Sequence, residues 1–391
     1  MSESHDLPTK EERPERVPSD TMDRTAAWFS RHRSISVIVA MALAAVILPL
    51  IVLLPPLSGF NKQGVWIDNF NGAGIYVLLA LGLNVVVGLS GLLDLGYAAF
   101  FAIGAYFYAL VASSFTGVHL PFWPMLILGA FVAALFGVAL GAPTLRLRGD
   151  YLAIVTLGFG EIVPVFFTNS DDLTNGTNGI AGIDRPSFPG ITFSAANPLP
   201  FYVTIVIILT IVLILLYRLQ DSRLGRAWMA IREDELAAAS SGVNTVTTKL
   251  LAFALGASTA GLAGVFSASR LVFVSPDQFL FTVSFTVLAM VVLGGMGNMW
   301  GVAAGAFIIF IIQSVFLRQL TNFLHPLGIP FISDIDFLKY QFLIYGIALV
   351  SMMLLRPEGL FPSSRRKQEL HTKEGELEEL PAPGEASEPL A

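Results

Sequence analysis

Ten apolar runs, separated by polar connections, occupy most of the chain between residues 34 and 355. Each run has about the 17 to 25 residues that a helix needs to cross a hydrocarbon core of about 30 Å. The pattern predicts an all-α polytopic membrane protein with about ten transmembrane helices. The predicted spans are Ser34–Leu54, Gly72–Gly88, Gly96–Phe115, Phe122–Ala142, Tyr151–Phe167, Leu199–Tyr217, Leu250–Val274, Leu280–Met296, Gly301–Leu317 and Lys339–Leu355.

The polar segments divide the chain into a transmembrane domain and two tails. Residues 1–33 and the acidic, proline-containing residues 356–391 are predicted to be disordered cytosolic tails that flank a domain of residues 34–355. Inside that domain, Pro55–Asn71, Thr168–Pro198 and Leu320–Phe337 are predicted to be the longer connections on one side of the membrane.

The distribution of positive charge predicts the orientation. Only 13% of residues are charged, and the chain has 23 Lys and Arg. Of these, 18 lie in the tails and the even-numbered loops, and the other five are Lys62, Arg185, Arg270, Arg318 and Lys339. Since cytoplasmic loops carry the excess of Lys and Arg, both termini are predicted to be cytoplasmic.

The stretch Gly225–Gly264 combines a charged amphipathic half with an apolar half rich in small residues, and no loop-like break separates them. Its charges cannot lie in lipid, where an Asp, Lys or Arg at mid-helix costs about 2.5–3.5 kcal/mol. Residues 218–249 are therefore predicted to be a cytoplasmic segment that contains a short polar helix. A charged helix held between two spans is typical of a surface that grips a cytosolic partner.

The sequence excludes several kinds of chemistry. It has no Cys, five His without metal-ligand spacing, no phosphate-binding GxxxxGK[ST] loop and no nucleophile elbow. We therefore expect no enzymatic activity, no cofactor, no metal and no nucleic-acid partner. A secondary transporter or channel that works alone usually needs several acids at mid-membrane, and the spans offer essentially only Glu161.

Three polar residues within or beside the spans are further candidates. Glu161, in the fifth span, contributes either to the pathway or to helix packing as a protonated group, with Gly158 and Gly160 allowing a neighbouring helix to approach. Asn84 is a candidate for a bond between helices or for the pathway, and Asp94 for a cap of the third span. The similar runs Val86–Gly96 and Val291–Gly301 predict either broken helices near the pathway or ordinary glycine packing.

Several motifs carry a resemblance to a known family. Glu235, Ala238, Ala239 and Gly242 stand where the membrane subunits of ABC importers show Glu-Ala-Ala…Gly, with one residue more before Gly242 and without the later Leu-Pro. The segments LRLRGDYLAIVTLGFGEIV, TNGTNGI, VSPDQF, VVLGGMGNMWG and RPEGLFP add to it. Together they resemble the LivM-type permease of bacterial branched-chain amino-acid importers, from about Gly72 to Pro362.

This resemblance implies a half-channel in the bacterial inner membrane. It would form a heterodimer with a second, LivH-type permease and bind two cytosolic ABC ATPases and a periplasmic amino-acid-binding protein that delivers Leu, Ile or Val. Sibling systems carry urea, short amides or other amino acids, and a stand-alone secondary transporter remains the alternative of a different class. The residues expected at the ATPase contact are Arg232, Asp234, Glu235, Ala238, Ala239 and Gly242.

Overall fold

The computed structural model describes residues 33–51, 63–144, 150–319, 339–356 and 359–360. In these ranges the chain is mainly helical. The helices are α1 (Arg33–Ile51), α2 (Gln63–Leu83), α3 (Tyr97–Val111), α4 (Phe122–Thr144), α5 (Asp150–Asn169), α6 (Asp171–Thr174), α7 (Leu199–Gln220), α8 (Arg223–Glu233), α9 (Glu235–Ser240), α10 (Thr245–Leu271), α11 (Phe281–Gly294), α12 (Met299–Ile311) and α13 (Gln341–Leu355). Single π-helical turns extend α2 over Asn84–Leu89 and α12 over Ile312–Leu317.

The helices confirm the predicted fold class. Seven of the helical segments in the described ranges are long and apolar enough to cross a membrane. Three shorter apolar helices, Val39–Ile51, Tyr97–Val111 and Gln341–Met352, stand at the other three predicted positions. The protein is therefore an all-α polytopic membrane protein with about ten transmembrane helices.

The second span begins earlier than its hydropathy predicts. Helix α2 starts at Gln63, nine residues before the expected Gly72, so the end of the predicted connection Pro55–Asn71 is helical. Trp66, Ile67 and Phe70 are buried against Tyr202 and Val315. Their spacing places them on one side of a helix, and their burial extends the helix through polar residues.

The third span ends earlier than predicted. Helix α3 stops at Val111, and the chain continues into the antiparallel strands β1 (Ala112–Ser113) and β2 (Val118–His119) instead of remaining helical to Phe115. The Thr116 hydroxyl donates a hydrogen bond of 2.7 Å to the carbonyl of Leu110. This carbonyl is one of those at the helix end that have no partner within the helix. The β-hairpin therefore replaces the last predicted turn of the helix.

Helix α10 packs tightly against α3 and α4 through small residues. A methyl group at Gly104 of α3 would lie 2.5 Å from the carbonyl oxygen of Gly261, and one at Gly137 of α4 would lie 2.7 Å from Cβ of Ala257. Such contacts bring helix backbones close together, which is the main source of packing energy when lipid is the solvent. The predicted Gly137–Gly141 pair is thus a contact of α4 with α10.

The end of the helix bundle that carries the longest described connection is called the loop face here, and it comprises β1, β2 and residues 170–198. The connection is ordered. Its strand β3 (Ile180–Ala181) pairs antiparallel with β4 (Phe273–Val274), which follows α10. Nearby, Arg270 donates 2.6 Å to the Asp68 carboxylate and ties the end of α10 to the start of α2.

The opposite end is called the coupling face, and it comprises α8, α9, residues 84–96 and residues 295–298. It also holds the described start of the C-terminal segment, because the Leu360 N–H donates 2.9 Å to the carbonyl of Leu293. Leu360 is therefore attached to the end of α11. The remaining tail residues, the link with Arg146 and Arg148, and the connection Leu320–Phe337 lie outside the described residues.

Candidate coupling site

The charged segment forms separate helices, so the prediction of an uninterrupted run from Gly225 to Gly264 is wrong. Helix α8 ends at Glu233. The next residue, Asp234, has an extended backbone and is the N-cap of the short helix α9. The Asp234 Oδ1 atom accepts hydrogen bonds of 2.8 and 3.0 Å from the N–H groups of Leu236 and Ala237. Asn244 caps α10 in the same way by accepting from the Thr247 N–H. These two N-caps interrupt the helix because their side chains take over donors that a preceding turn would satisfy.

Gly242 closes α9 with a positive φ of 85°. The N–H of Gly242 donates 3.0 Å to the carbonyl of Ala239, and the N–H of Val243 donates 3.1 Å to that of Ala238. This pair of bonds is a Schellman motif, whose left-handed residue favours glycine. A methyl at Gly242 would meet no atom within 4 Å, so the turn is open on its outer side.

Trp228 fixes α8 to the membrane domain. Its side chain is completely buried, and its indole Nε1–H donates 2.7 Å to the carbonyl of Thr248 at the start of α10. Trp228 was not among the predicted site residues. Its signal was the apolar spacing of Gly225, Trp228 and Ile231, which are the buried positions of α8.

An ion pair fixes α9 to α10. The Lys249 ammonium lies 2.6 Å from Oε1 of Glu235, with side-chain exposures of 6% for Lys249 and 36% for Glu235. Glu235 was expected at the contact with an ATPase. In the structure its carboxylate is engaged within its own chain, and Lys249, which the sequence analysis did not select as a site residue, is its partner.

Arg232 links α8 to the broken end of α2. Its guanidinium Nη1 donates 2.6 Å to the carbonyl of Gly88 in the π-helical turn. The stem of its side chain lies against Gly91, where an added methyl would approach Arg232 Cγ at 2.9 Å. Gly91 has a φ of 70°. This close contact therefore depends on glycine at position 91 both for its conformation and for its size.

Asn84 joins the two glycine-containing runs that resemble each other in sequence. Its side chain is fully buried. The Oδ1 atom accepts a hydrogen bond of 2.9 Å from the Gly297 N–H, and the Nδ2 atom donates one of 3.4 Å to the sulfur of Met299. Gln220 of α7 donates to the carbonyl of the same Gly297. Each run contains a break between two helices, and the two breaks meet beneath α8. This geometry supports the helix-packing alternative for Asn84.

Asp94 lies in the corner between α2 and α3 and is buried. Its Oδ1 accepts 2.9 Å from the Gly96 N–H at the start of α3. Burial raises the pKa of Asp94 to about 6, against the lowering effect of hydrogen bonds from Gly96 and Thr156. The Thr156 hydroxyl accepts 3.0 Å from the Leu95 N–H, which joins this corner to α5.

The outer surface of α9 is exposed and combines small with apolar residues. Ala238 faces inward and is buried, whereas Ala239 and Gly242 are exposed. Leu236 is 65% exposed and Val246, in the first turn of α10, is 54% exposed. Neither residue was among the predicted site residues, because a single exposed apolar residue is common on protein surfaces and gives no sequence signal.

Taken together, α8 and α9 form a surface that is rigidly attached on one side and open on the other. Trp228, Lys249 and Arg232 bind it to α10 and to the corner beneath it. The Glu235–Lys249 pair thus ties α9 to α10, and the Arg232 bond ties α8 to the end of α2. Glu161 lies elsewhere, on an exposed side of α5.

Comparison with known proteins identifies the family of this chain. Residues 67–353 match the sequence profile of the family described as branched-chain amino acid transport system, permease component. The chain is 41% identical to the permease protein LivM of Salmonella typhimurium over 78% of its length and 72% of that protein's. It is 42% identical to LivM of Escherichia coli over 76% and 70% of the two lengths.

More distant similarity extends to another permease type. The chain is 24% identical to the permease protein LivH of Escherichia coli over 74% of its length and 93% of that protein's. No solved structure matches the chain. From the extent of the profile match and the identity to the LivM proteins, we conclude that this chain belongs to the permease family of branched-chain amino acid transport systems.

Proposed function

We propose that the chain is the membrane-spanning permease subunit of an ABC importer that moves Leu, Ile and Val inward with ATP hydrolysed by partner subunits. Its membership in the permease family supports the transport role. The LivM relatives are named as parts of high-affinity branched-chain amino acid transport systems, which supports the substrate class.

The observation that supports the coupling role is that α9 is attached to the membrane domain on one side and exposed on the other. Its inner side is attached to the membrane domain through Ala238 and the Glu235–Lys249 pair, while Leu236, Ala239 and Gly242 face outward. We propose that this outer side docks on a cytosolic ATPase. Its small residues permit close approach, and Leu236 supplies apolar area at the centre of the contact.

The remaining partners follow from the same proposal. Escherichia coli has both a LivM and a LivH permease protein in its high-affinity system, and this chain is similar to both. The second subunit is therefore a LivH-type permease, and two ATPases and a periplasmic binding protein complete the importer. The coupling face and both termini are cytoplasmic.

Uptake by cells tests this function. Cells without their own branched-chain amino acid uptake, given this chain and its partner subunits, should accumulate radiolabelled leucine. Replacing the P-loop lysine of the partner ATPases should abolish that uptake. Leucine uptake that persists with inactive ATPases would contradict the proposal and support a stand-alone secondary transporter. Accumulation of labelled urea or a short amide, without leucine, would identify the sibling substrate class instead.

Docking is tested separately on the purified complex. Leu236→Arg and Ala239→Trp should remove the ATPase subunits, because the first introduces a charge and the second adds bulk to the contact. Arg226→Ala, on an exposed position of α8 outside this surface, is the control and should retain them. Retention of the ATPases by all three variants would refute the docking role of α9.

A further inference from the structure

One side of α5 is left uncovered by the rest of the described chain. Its exposed residues recur at helical spacing from Tyr151 to Asn169, and they include large apolar side chains. Ile154 is 63% exposed and Ile162 is 65% exposed. Glu161 lies in the middle of this stripe and is itself exposed.

The depth of Glu161 makes this surface unusual. At a rise of about 1.5 Å per residue, Glu161 stands about 16 Å from the start of α5 and about 12 Å from its end. It therefore lies near the middle of the span. Ionisable side chains at this depth almost always face a bundle interior or a water-filled cavity, because lipid cannot solvate them.

No hydrogen-bond or ion-pair partner of Glu161 lies among the described residues, in contrast to other ionisable side chains of the spans. Asp68 and Arg270 pair with each other at the loop face. Lys249 pairs with Glu235 at the coupling face. Helix packing within this chain, one of the two predicted roles of Glu161, therefore receives no support from the described residues.

The residues beside Glu161 suit a helix from another protein. Gly160 faces inward, where an added methyl would lie 2.9 Å from Cα of Gly96. Gly158, one turn before Glu161 on the exposed side, has no atom within 4 Å of the corresponding position. A notch of this size beside a polar group allows a second helix to approach closely and to donate a hydrogen bond.

We infer that the side of α5 centred on Glu161 is the surface on which the second permease subunit packs, with a polar or cationic side chain of that subunit paired to the carboxyl. The occupant must itself span the membrane, since Glu161 is at mid-depth, and this excludes the ATPases and the binding protein. This inference rests on the proposed function, which supplies a LivH-type permease as the membrane-embedded partner.

Photo-crosslinking in the assembled complex tests the location. Benzoylphenylalanine placed at Ile154 or Val165 should give a product that contains the second permease. Ile127 of α4 and Ile207 of α7 are 71% and 53% exposed and serve as controls on other sides of the bundle. We expect at least tenfold less product from them. Equal or greater yield from either control, or a product that contains two copies of this chain, would overturn the inference.

Substitution tests the role of the carboxyl. Glu161→Gln keeps hydrogen bonding, so we expect the second permease to copurify within twofold of the native amount. Glu161→Leu, which suits lipid, should lower its recovery at least fivefold while this chain is inserted normally. If the native amount of the second permease copurified with Glu161→Leu, the carboxyl would not be part of the contact. Labelling of Glu161→Cys by an impermeant thiol reagent would show water at this surface and overturn the packing.

These measurements are independent of transport. Cross-linking and copurification are read without substrate or ATP, so a complex that carries a different solute gives the same result. Failure of leucine uptake with intact cross-links would therefore contradict only the proposed substrate. Loss of the α5 cross-links with intact uptake would contradict only the interface.

Discussion

Arg232 Nη1 donates a 2.6 Å hydrogen bond to the main-chain carbonyl of Gly88, which connects helix α8 to the π-helical end of α2. The acceptor belongs to a break in a transmembrane helix and not to a surface loop. A charged donor to a carbonyl typically contributes about 1.5–3 kcal/mol. In the proposed coupling, this bond is the link between α8 and the end of α2.

The first prediction separates transmission from docking. Arg232→Met keeps the stem of the side chain against Gly91 but removes the bond to Gly88. In proteoliposomes the complex should retain its ATPase subunits and hydrolyse ATP, while leucine transported per ATP falls at least tenfold. Arg226→Met is the control. Equal transport per ATP in both variants would show that the Gly88 bond is dispensable.

A second prediction concerns the Glu235–Lys249 pair. Glu235→Arg leaves a nearly buried ammonium beside a like charge, so the folded state should lose on the order of 2 kcal/mol, a value reduced by the partial exposure of Glu235. Thermal unfolding of the purified complex should show Glu235→Gln as milder than Glu235→Arg. The double variant Glu235→Lys with Lys249→Glu should recover part of the stability. Without such recovery, the pair would not be the reason for the loss.

Two substitutions at Gly242 distinguish the effect of backbone strain from the effect of side-chain size. Gly242→Asn and Gly242→Trp both place a side chain at a positive φ, which Asn tolerates better. Neither side chain begins within 4 Å of another atom of the described chain. The Asn variant should retain ATPase subunits on mild purification, and the Trp variant should lose them. If the Trp variant imports at the native rate, Gly242 does not contact a partner.

The pKa of Asp94 predicts a pH dependence of stability. Burial raises this pKa from 3.8 to about 6, so the folded state binds a proton that the unfolded state releases. The stability contribution of Asp94 is therefore present below pH 3.8 and is lost as the pH rises to about 6, by at most about 3 kcal/mol. Asp94→Asn should flatten this part of the stability curve and raise the melting temperature at pH 7.5. Parallel curves for both proteins would contradict it.

The orientation of the chain is tested by cysteine labelling, because the native sequence has no Cys. Single Cys residues at Asn178, on the loop face, and at Ser241, after α9, are both exposed. An impermeant thiol reagent added outside spheroplasts should label only the residue at 178. Labelling at both positions from outside would contradict cytoplasmic termini.

The sequence by itself determined the class and the approximate number and places of the spans, because a lipid-facing helix must be apolar along nearly its whole length. It also located the segment that contains α8 and α9, since its charges exclude it from lipid. The sequence motifs were sufficient to predict the family. Hydropathy did not reveal the early start of α2 at Gln63, where one buried side of the helix outweighs polar neighbours.

Only the tertiary structure decided which partners the polar residues have. Glu235 and Lys249 are 14 positions apart and pair because the glycine turn at Gly242 brings α9 against the start of α10. Arg232 and Gly88 are separated by 144 positions, and no local pattern connects them. Glu161 has the same sequence signal as a buried acid, and its exposure follows from how α5 packs through Gly160. The pattern of apolar residues predicts which segments lie in the membrane, whereas side-chain pairing depends on contacts between distant parts of the chain.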